Sequence, residues 1–142
     1  MPKAEGLSLP FESPDSVRKD LLEAISYDGR PQLIAYTTHE FSAVCPYSGL
    51  PDLATVVVRY VPDGTLVELK SLKYYFVSFR NVGIYQEDAT VRIFDDLKDL
   101  LKPHFLHVYT RYNIRGGIDA ECEVETGPEA EAMKRHVHGG TS

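Results

Sequence analysis

Residues 69–79 contain neither glycine nor proline, and Leu69, Leu72, Phe76 and Phe79 recur at the spacing that aligns one face of a helix. A second stripe, Val91, Phe94, Leu97 and Leu101, follows and stops at Pro103, which cannot continue a helix. Two consecutive helices are therefore predicted. On either side the pattern changes to runs rich in β-branched and aromatic residues, 32–38 and 53–61 before the helices and 105–112 and 118–124 after them. Pro62-Asp63-Gly64 and Arg115-Gly116-Gly117 mark turns beside these runs. The order strand, strand, helix, helix, strand, strand predicts an α+β fold, in which an antiparallel four-stranded sheet carries both helices on one face and leaves the other bare.

A chain of 142 residues is about one domain. Residues 32–125 form that domain, 1–31 an N-terminal extension and 126–142 a C-terminal tail. Within the extension, residues 1–12 read as a tail, and Ser13-Pro14 starts a short helix containing Val17, Leu21 and Ile25 that ends at Asp28-Gly29. His136 and His138 lie in the polar C-terminal tail and read as solvated rather than as metal ligands. With 43% hydrophobic and 25% charged residues and no apolar run near the roughly 18 residues of a membrane span, the sequence predicts no membrane role. No apolar segment follows the first residues, so a cytoplasmic location is expected, with Cys45 and Cys122 as reduced thiols. The net charge of −6 disfavours nucleic acid as a partner. A local basic site for a small phosphorylated ligand stays open if Lys70, Lys73, Arg80 and Arg115 meet in space.

The chemistry concentrates in four places. Cys45 stands seven residues before Asp52 across the Pro46-Tyr47-Ser48-Gly49-Leu50-Pro51 turn. A thiolate adds to electron-poor carbon and needs a nearby proton donor for the atom that becomes negative, and these two residues supply both. Lys70 and Lys73, three apart near a helix start, share a face where two ammonium groups could bracket a phosphate. Glu87 can accept two parallel N–H bonds, as carboxylates do from arginine. Arg115, before a glycine pair, can meet a second phosphate. Each also has a plain structural account: a core cysteine, a solvated lysine face, a first-turn glutamate favoured by the helix dipole, and a hairpin turn.

Read together, the blocks Cys45 to Asp52, Glu68 to Tyr75, Ser78-Phe79-Arg80-Asn81 and Glu87-Asp88 resemble the NADPH-dependent 7-cyano-7-deazaguanine reductases, the nitrile reductases of queuosine biosynthesis. Glu68 to Tyr75 follow that family's signature except that Tyr74 replaces its usual leucine, and Gln86 stands where a histidine is usual. Glutamine keeps a hydrogen-bonding amide there and loses the titratable ring. The resemblance, over roughly residues 32–125, implies a tunnelling fold whose subunits join into an oligomeric barrel, a decamer of two pentamers. It implies Cys45 and Asp52 as catalytic residues and a deazapurine nitrile as the small-molecule partner. Val67, Glu68, Leu69, Gln86 and Glu87 would bind that substrate, and Lys70, Lys73 and Arg115 would hold NADPH, with no metal required.

Two relatives and one other class compete. The GTP cyclohydrolases of the same fold hold zinc through cysteine and histidine, but position 48 is serine and no His or Cys lies within ten residues after Cys45. The archaeal amidinotransferase acting on the same nitrile in transfer RNA lacks the nicotinamide signature that residues 68–75 carry. A non-catalytic purine-binding module would keep the pocket and consume no NADPH.

Overall fold

Alternation builds the sheet. In the strand Pro51–Val61 (β3), Ala54, Val56, Val58 and Tyr60 are buried while Thr55, Val57 and Arg59 point the other way. It pairs antiparallel with Ile34–Val44 (β2) on one side and Phe105–Arg115 (β5) on the other, and β5 pairs with Ile118–Glu125 (β6). The order β2-β3-β5-β6 leaves β2 and β6 as the edges of the sheet. These facts come from a computed structural model, which describes Lys3 and residues 5–127. His136 and His138 lie outside the described residues.

The helices Leu69–Val77 (α1) and Gln86–Leu101 (α2) cover the face that presents Ala54, Val56, Val58, Tyr60, Leu106 and Val108. Leu72, Tyr75 and Phe79 from the α1 region and Ala89, Ile93 and Leu97 from α2 complete the core. Each such side chain taken fully out of water contributes about 1.5–3 kcal/mol. Tyr75 donates its hydroxyl to Asp96 at 2.7 Å, and Arg92 Nε reaches the same carboxylate at 2.8 Å. With the contact of Thr65 Oγ1, just before α1, to the Leu101 carbonyl at the end of α2, this bond sets the two consecutive helices antiparallel. The bare face carries charge instead, including an Arg111–Asp119 pair at 2.6 Å and a His107–Glu123 contact at 2.8 Å.

Besides the strand expected over 32–38, which runs Ile34–Val44 past a register shift between Thr38 and Phe41, three expectations change. The short helix at 13–29 does not form: Pro14–Ser16 and Lys19–Leu21 are single 3-10 turns, followed by a strand, Ala24–Ser26 (β1). The residues the core takes are Val17 and Leu22, not the helically spaced Val17, Leu21 and Ile25, and Ile25 is 47% exposed. Tertiary partners outbid the local pattern, because Arg18 N donates to Ser78 Oγ, Glu23 N to Ser71 Oγ, and Glu68 N to the Glu23 carbonyl. Second, Thr65–Val67 (β4) pairs with β1 in a two-stranded sheet, so two short strands accompany the long ββααββ elements. Third, α1 stops at Val77 rather than residue 79, where the Ser78 hydroxyl turns back to the Tyr75 carbonyl at 2.6 Å. Among the described residues no helix is long and apolar enough to cross a membrane.

Candidate active site

Cys45 is the first residue past β2, in a loop closed by its own backbone: Cys45 N donates to the Leu50 carbonyl and Gly49 N to the Cys45 carbonyl, both at 2.9 Å. Gly49 has φ +72°, the left-handed region that glycine enters without steric cost. The N-terminal arm straps this loop, since Leu9 N donates to the Ser48 carbonyl at 2.7 Å and Glu12 N to the Asn81 carbonyl at 2.7 Å. On the other side, Val44 N donates to the Val82 carbonyl and Ile84 N to the Val44 carbonyl. Cys45 is thereby held between the start of β3 and the N-terminus of α2. The half-buried thiol is pulled below its ordinary pKa by the Ser48 N–H, the Ser48 hydroxyl and the Tyr47 N–H, against burial and the charge of Asp52. Beside it Tyr85 donates its hydroxyl to Tyr47 at 2.7 Å, an exposed aromatic pair with ring centroids 6.1 Å apart.

Asp52, opposite Ala43 in the ladder, shares the parity of Ala54 and so faces the helix side of the sheet. Arg115 at the end of β5 holds it, with Nη2 2.7 Å from Asp52 Oδ1 and a further bond to the Pro51 carbonyl. The first turn of α2 comes down over the same place: Thr90 Oγ1 lies 2.7 Å from Thr110 Oγ1 on β5 and donates to the Gln86 carbonyl at 2.8 Å. Glu87 is exposed at this helix start, while Gln86 Oε1 is buried and without a hydrogen-bond partner among the described residues. Tyr112, two residues beyond Thr110, is a residue that the sequence reading passed over. Its parity with Leu106, Val108 and Thr110 was the available signal. Cys122 lies under α2 as well, its thiol pushed up by burial and by Glu87.

The remaining expected residues gather elsewhere. Glu68 caps α1, its carboxylate accepting from Lys70 N at 2.8 Å and Ser71 N at 2.9 Å. Val67 is buried in β4 and donates its N–H to Tyr60 Oη, whereas Leu69 and Lys70 are exposed. Because the helices are antiparallel, this start of α1 lies toward the end of α2, where Thr65 Oγ1 reaches the Leu101 carbonyl. Gln86 and Glu87 are at the other end, about 24 Å away at 1.5 Å per residue. Within one chain, then, Cys45, Asp52, Gln86, Glu87 and Arg115 come together, and Val67, Glu68, Leu69, Lys70 and Lys73 form a second group.

Lys73 and Arg80 line one groove of about 420 Å³ between α1 and β2, together with Tyr36, Phe76 and Glu40. Neither cation has a carboxylate within salt-bridge reach among the described residues, and Arg115 does not line this groove. A cleft with two free cations and aromatic walls fits a phosphorylated nucleotide. Among the described residues no group of three or more His, Cys, Asp or Glu could hold a metal ion.

The profile of the family described as QueF-like protein matches residues 51–131. The chain is 62% identical over 125 residues to the NADPH-dependent 7-cyano-7-deazaguanine reductase of Thermotoga petrophila, covering 87% of this chain and 91% of that one. It is 50% identical over 106 residues to the protein of the same name from Thermoanaerobacter pseudethanolicus, covering 73% and 80%. Among solved structures, the apo form of an archaeosine synthase QueF-Like superposes with a TM-score of 0.65 at 26% identity, over 70% of this chain and 97% of that one.

Proposed function

The chain belongs to the family of QueF-like proteins, and we propose that it reduces the nitrile of 7-cyano-7-deazaguanine to the aminomethyl group with NADPH, a step toward the queuosine of transfer RNA. The observation that carries this reading is the Cys45 turn, where three donors favour the thiolate within reach of the charge of Asp52. Cys45 Sγ adds to the nitrile carbon, one C–N π bond opens, and the proton given up by the thiol passes through the Asp52 carboxylate to the nitrogen, leaving a covalent thioimide. NADPH, when bound, supplies hydride, two for the four electrons between nitrile and amine. After the first reduction Cys45 departs as a thiolate, received again by the Ser48 and Tyr47 donors, and a free imine remains for the second. Glu87 accepts the ring N–H and amino N–H of the base, with Gln86 beside it.

Lys70 and Lys73 would hold the cofactor phosphates; Lys73 lines the groove with Arg80, and Lys70 stands outside it, exposed at the start of α1. Arg115 keeps N–H donors beyond the Nη2 given to Asp52, and these are open to a phosphate. The separation of the two residue groups along α2 supports a homo-oligomer, in which the Val67–Leu69 backbone of one copy completes the Cys45 pocket of the next. We assign that assembly to a tunnelling-fold barrel, two pentamers in a decamer, working in the cytoplasm where thiols stay reduced. The test is to mix protein, nitrile and NADPH and follow reduced-cofactor absorbance: two NADPH disappear for each aminomethyl product. A protein that takes up the nitrile and consumes no NADPH would instead be an amidinotransferase or a binding module.

A further inference from the structure

We infer that the Tyr112 hydroxyl contacts the substrate, donating a hydrogen bond to the ring carbonyl of the deazapurine between the nitrile end at Asp52 and the amidine edge at Glu87. The inference rests on the reductase reading above. Tyr112 pairs with Ala54 across the β3–β5 ladder, and Asp52 lies two residues before Ala54 on the same face. The two side chains are therefore diagonal neighbours, their Cβ atoms about 7–8 Å apart or less. On the helix side, the Thr90–Thr110 bond fixes the first turn of α2 over this end of β5, and Glu87 precedes Thr90 by three residues. Tyr112, the next inward position after Thr110, thus sits between a carboxylate on β3 and one on α2.

The residue is 5% exposed, yet its hydroxyl has no hydrogen-bond partner among the described residues. A buried hydroxyl left without a partner is costly, and a packed phenylalanine would avoid the cost. Burial, then the charges of Asp52, Cys122 and Glu87, hold its pKa well above the usual tyrosine value, so the group is an O–H donor throughout the physiological range. In 7-cyano-7-deazaguanine the C6 carbonyl lies between the C7 nitrile and the N1–H and 2-amino edge, and it is the acceptor on that side. The order nitrile, carbonyl, amidine edge in the substrate matches the order Asp52, Tyr112, Glu87 in the protein.

The test uses the full chain in the Cys45→Ala background, where binding is reversible. Affinity is measured by calorimetry with and without Tyr112→Phe, for 7-cyano-7-deazaguanine and for the analogue that lacks the C6 oxygen. The expected result is a loss of about five- to tenfold for the carbonyl-bearing nitrile, and no loss for the analogue. The thermal midpoint should not fall, since the hydroxyl removed is buried and has no partner within the chain. Equal affinity of the two proteins for the nitrile, or an equal loss for both ligands, would overturn the inference. NADPH oxidation by the wild-type chain, run alongside, separates the two claims: with reduction intact such a result removes Tyr112 alone, and with no reduction the reductase reading falls with it.

Discussion

Gly49→Ala tests how the Cys45 loop is built. Gly49 has φ +72°, and a Cβ there would stand 2.3 Å from the Leu9 carbonyl oxygen, a backbone atom that cannot rotate away. A left-handed conformation costs a residue with a Cβ about 1–2 kcal/mol. Displacing the arm also breaks the Leu9–Ser48 hydrogen bond, about 1 kcal/mol more, so the substitution should cost about 2–3 kcal/mol in all. Gly64 is the control, because it has φ +83° with nothing within 4 Å of its added Cβ, and carries only the backbone cost of about 1–2 kcal/mol. At about 4 °C per kcal/mol for a chain of this size, Gly49→Ala should lower the melting temperature by about 8–12 °C and Gly64→Ala by about 4–8 °C, read by circular dichroism. Removing residues 1–10 should bring the two substitutions to the same cost. Equal effects in the full chain would refute the strap, because the arm would then exert no restraint on the loop.

Ser48→Ala removes a donor to the Cys45 thiolate, so the pH at which iodoacetamide alkylation rises, expected below that of an ordinary thiol near 8.5, should move up, with slower labelling at pH 7. A profile that superposes on the wild type would remove Ser48 from that role. Asp96→Ala leaves the Tyr75 hydroxyl and Arg92 without their buried acceptor and should cost about 3 kcal/mol in urea unfolding, against a fraction of that for Asp99→Ala, whose partner Lys19 is at the surface. The double substitution Lys73→Ala with Arg80→Ala should leave nitrile adduct formation intact and raise the NADPH KM by at least tenfold, with less preference over NADH. An unchanged KM would empty the groove of its assigned role.

The helices and β3 were legible because each has one period and enough length to express it, whereas β2, expected over 32–38, runs on to Val44 because the irregularity between Thr38 and Phe41 interrupts its alternation. The α2 stripe ends at Pro103, and β3 alternates cleanly through Ala54, Val56, Val58 and Tyr60. The stretch 13–29 was not, because Val17, Leu21 and Ile25 mimic a helix while the partners that decide its path, Ser71 Oγ, Ser78 Oγ and Glu68 N, lie about fifty or sixty residues on. Cys45 and Asp52 were readable as a local pair. That Arg115 holds Asp52 depends on the register of β3 against β5, which no local pattern encodes. Glu68 shows the reverse: a residue singled out for binding also has a local duty, closing the first turn of α1. The division of the expected residues between the two ends of α2 follows from helix direction, a property of the assembled layer.

The most direct measurement is the intact mass of the protein after incubation with 7-cyano-7-deazaguanine alone. The account predicts a gain equal to the mass of the whole nitrile, located on Cys45, absent from Cys45→Ala and discharged as the aminomethyl product when NADPH is added. Reduction by Cys45→Ala, or an adduct on Cys122 in place of Cys45, would contradict it.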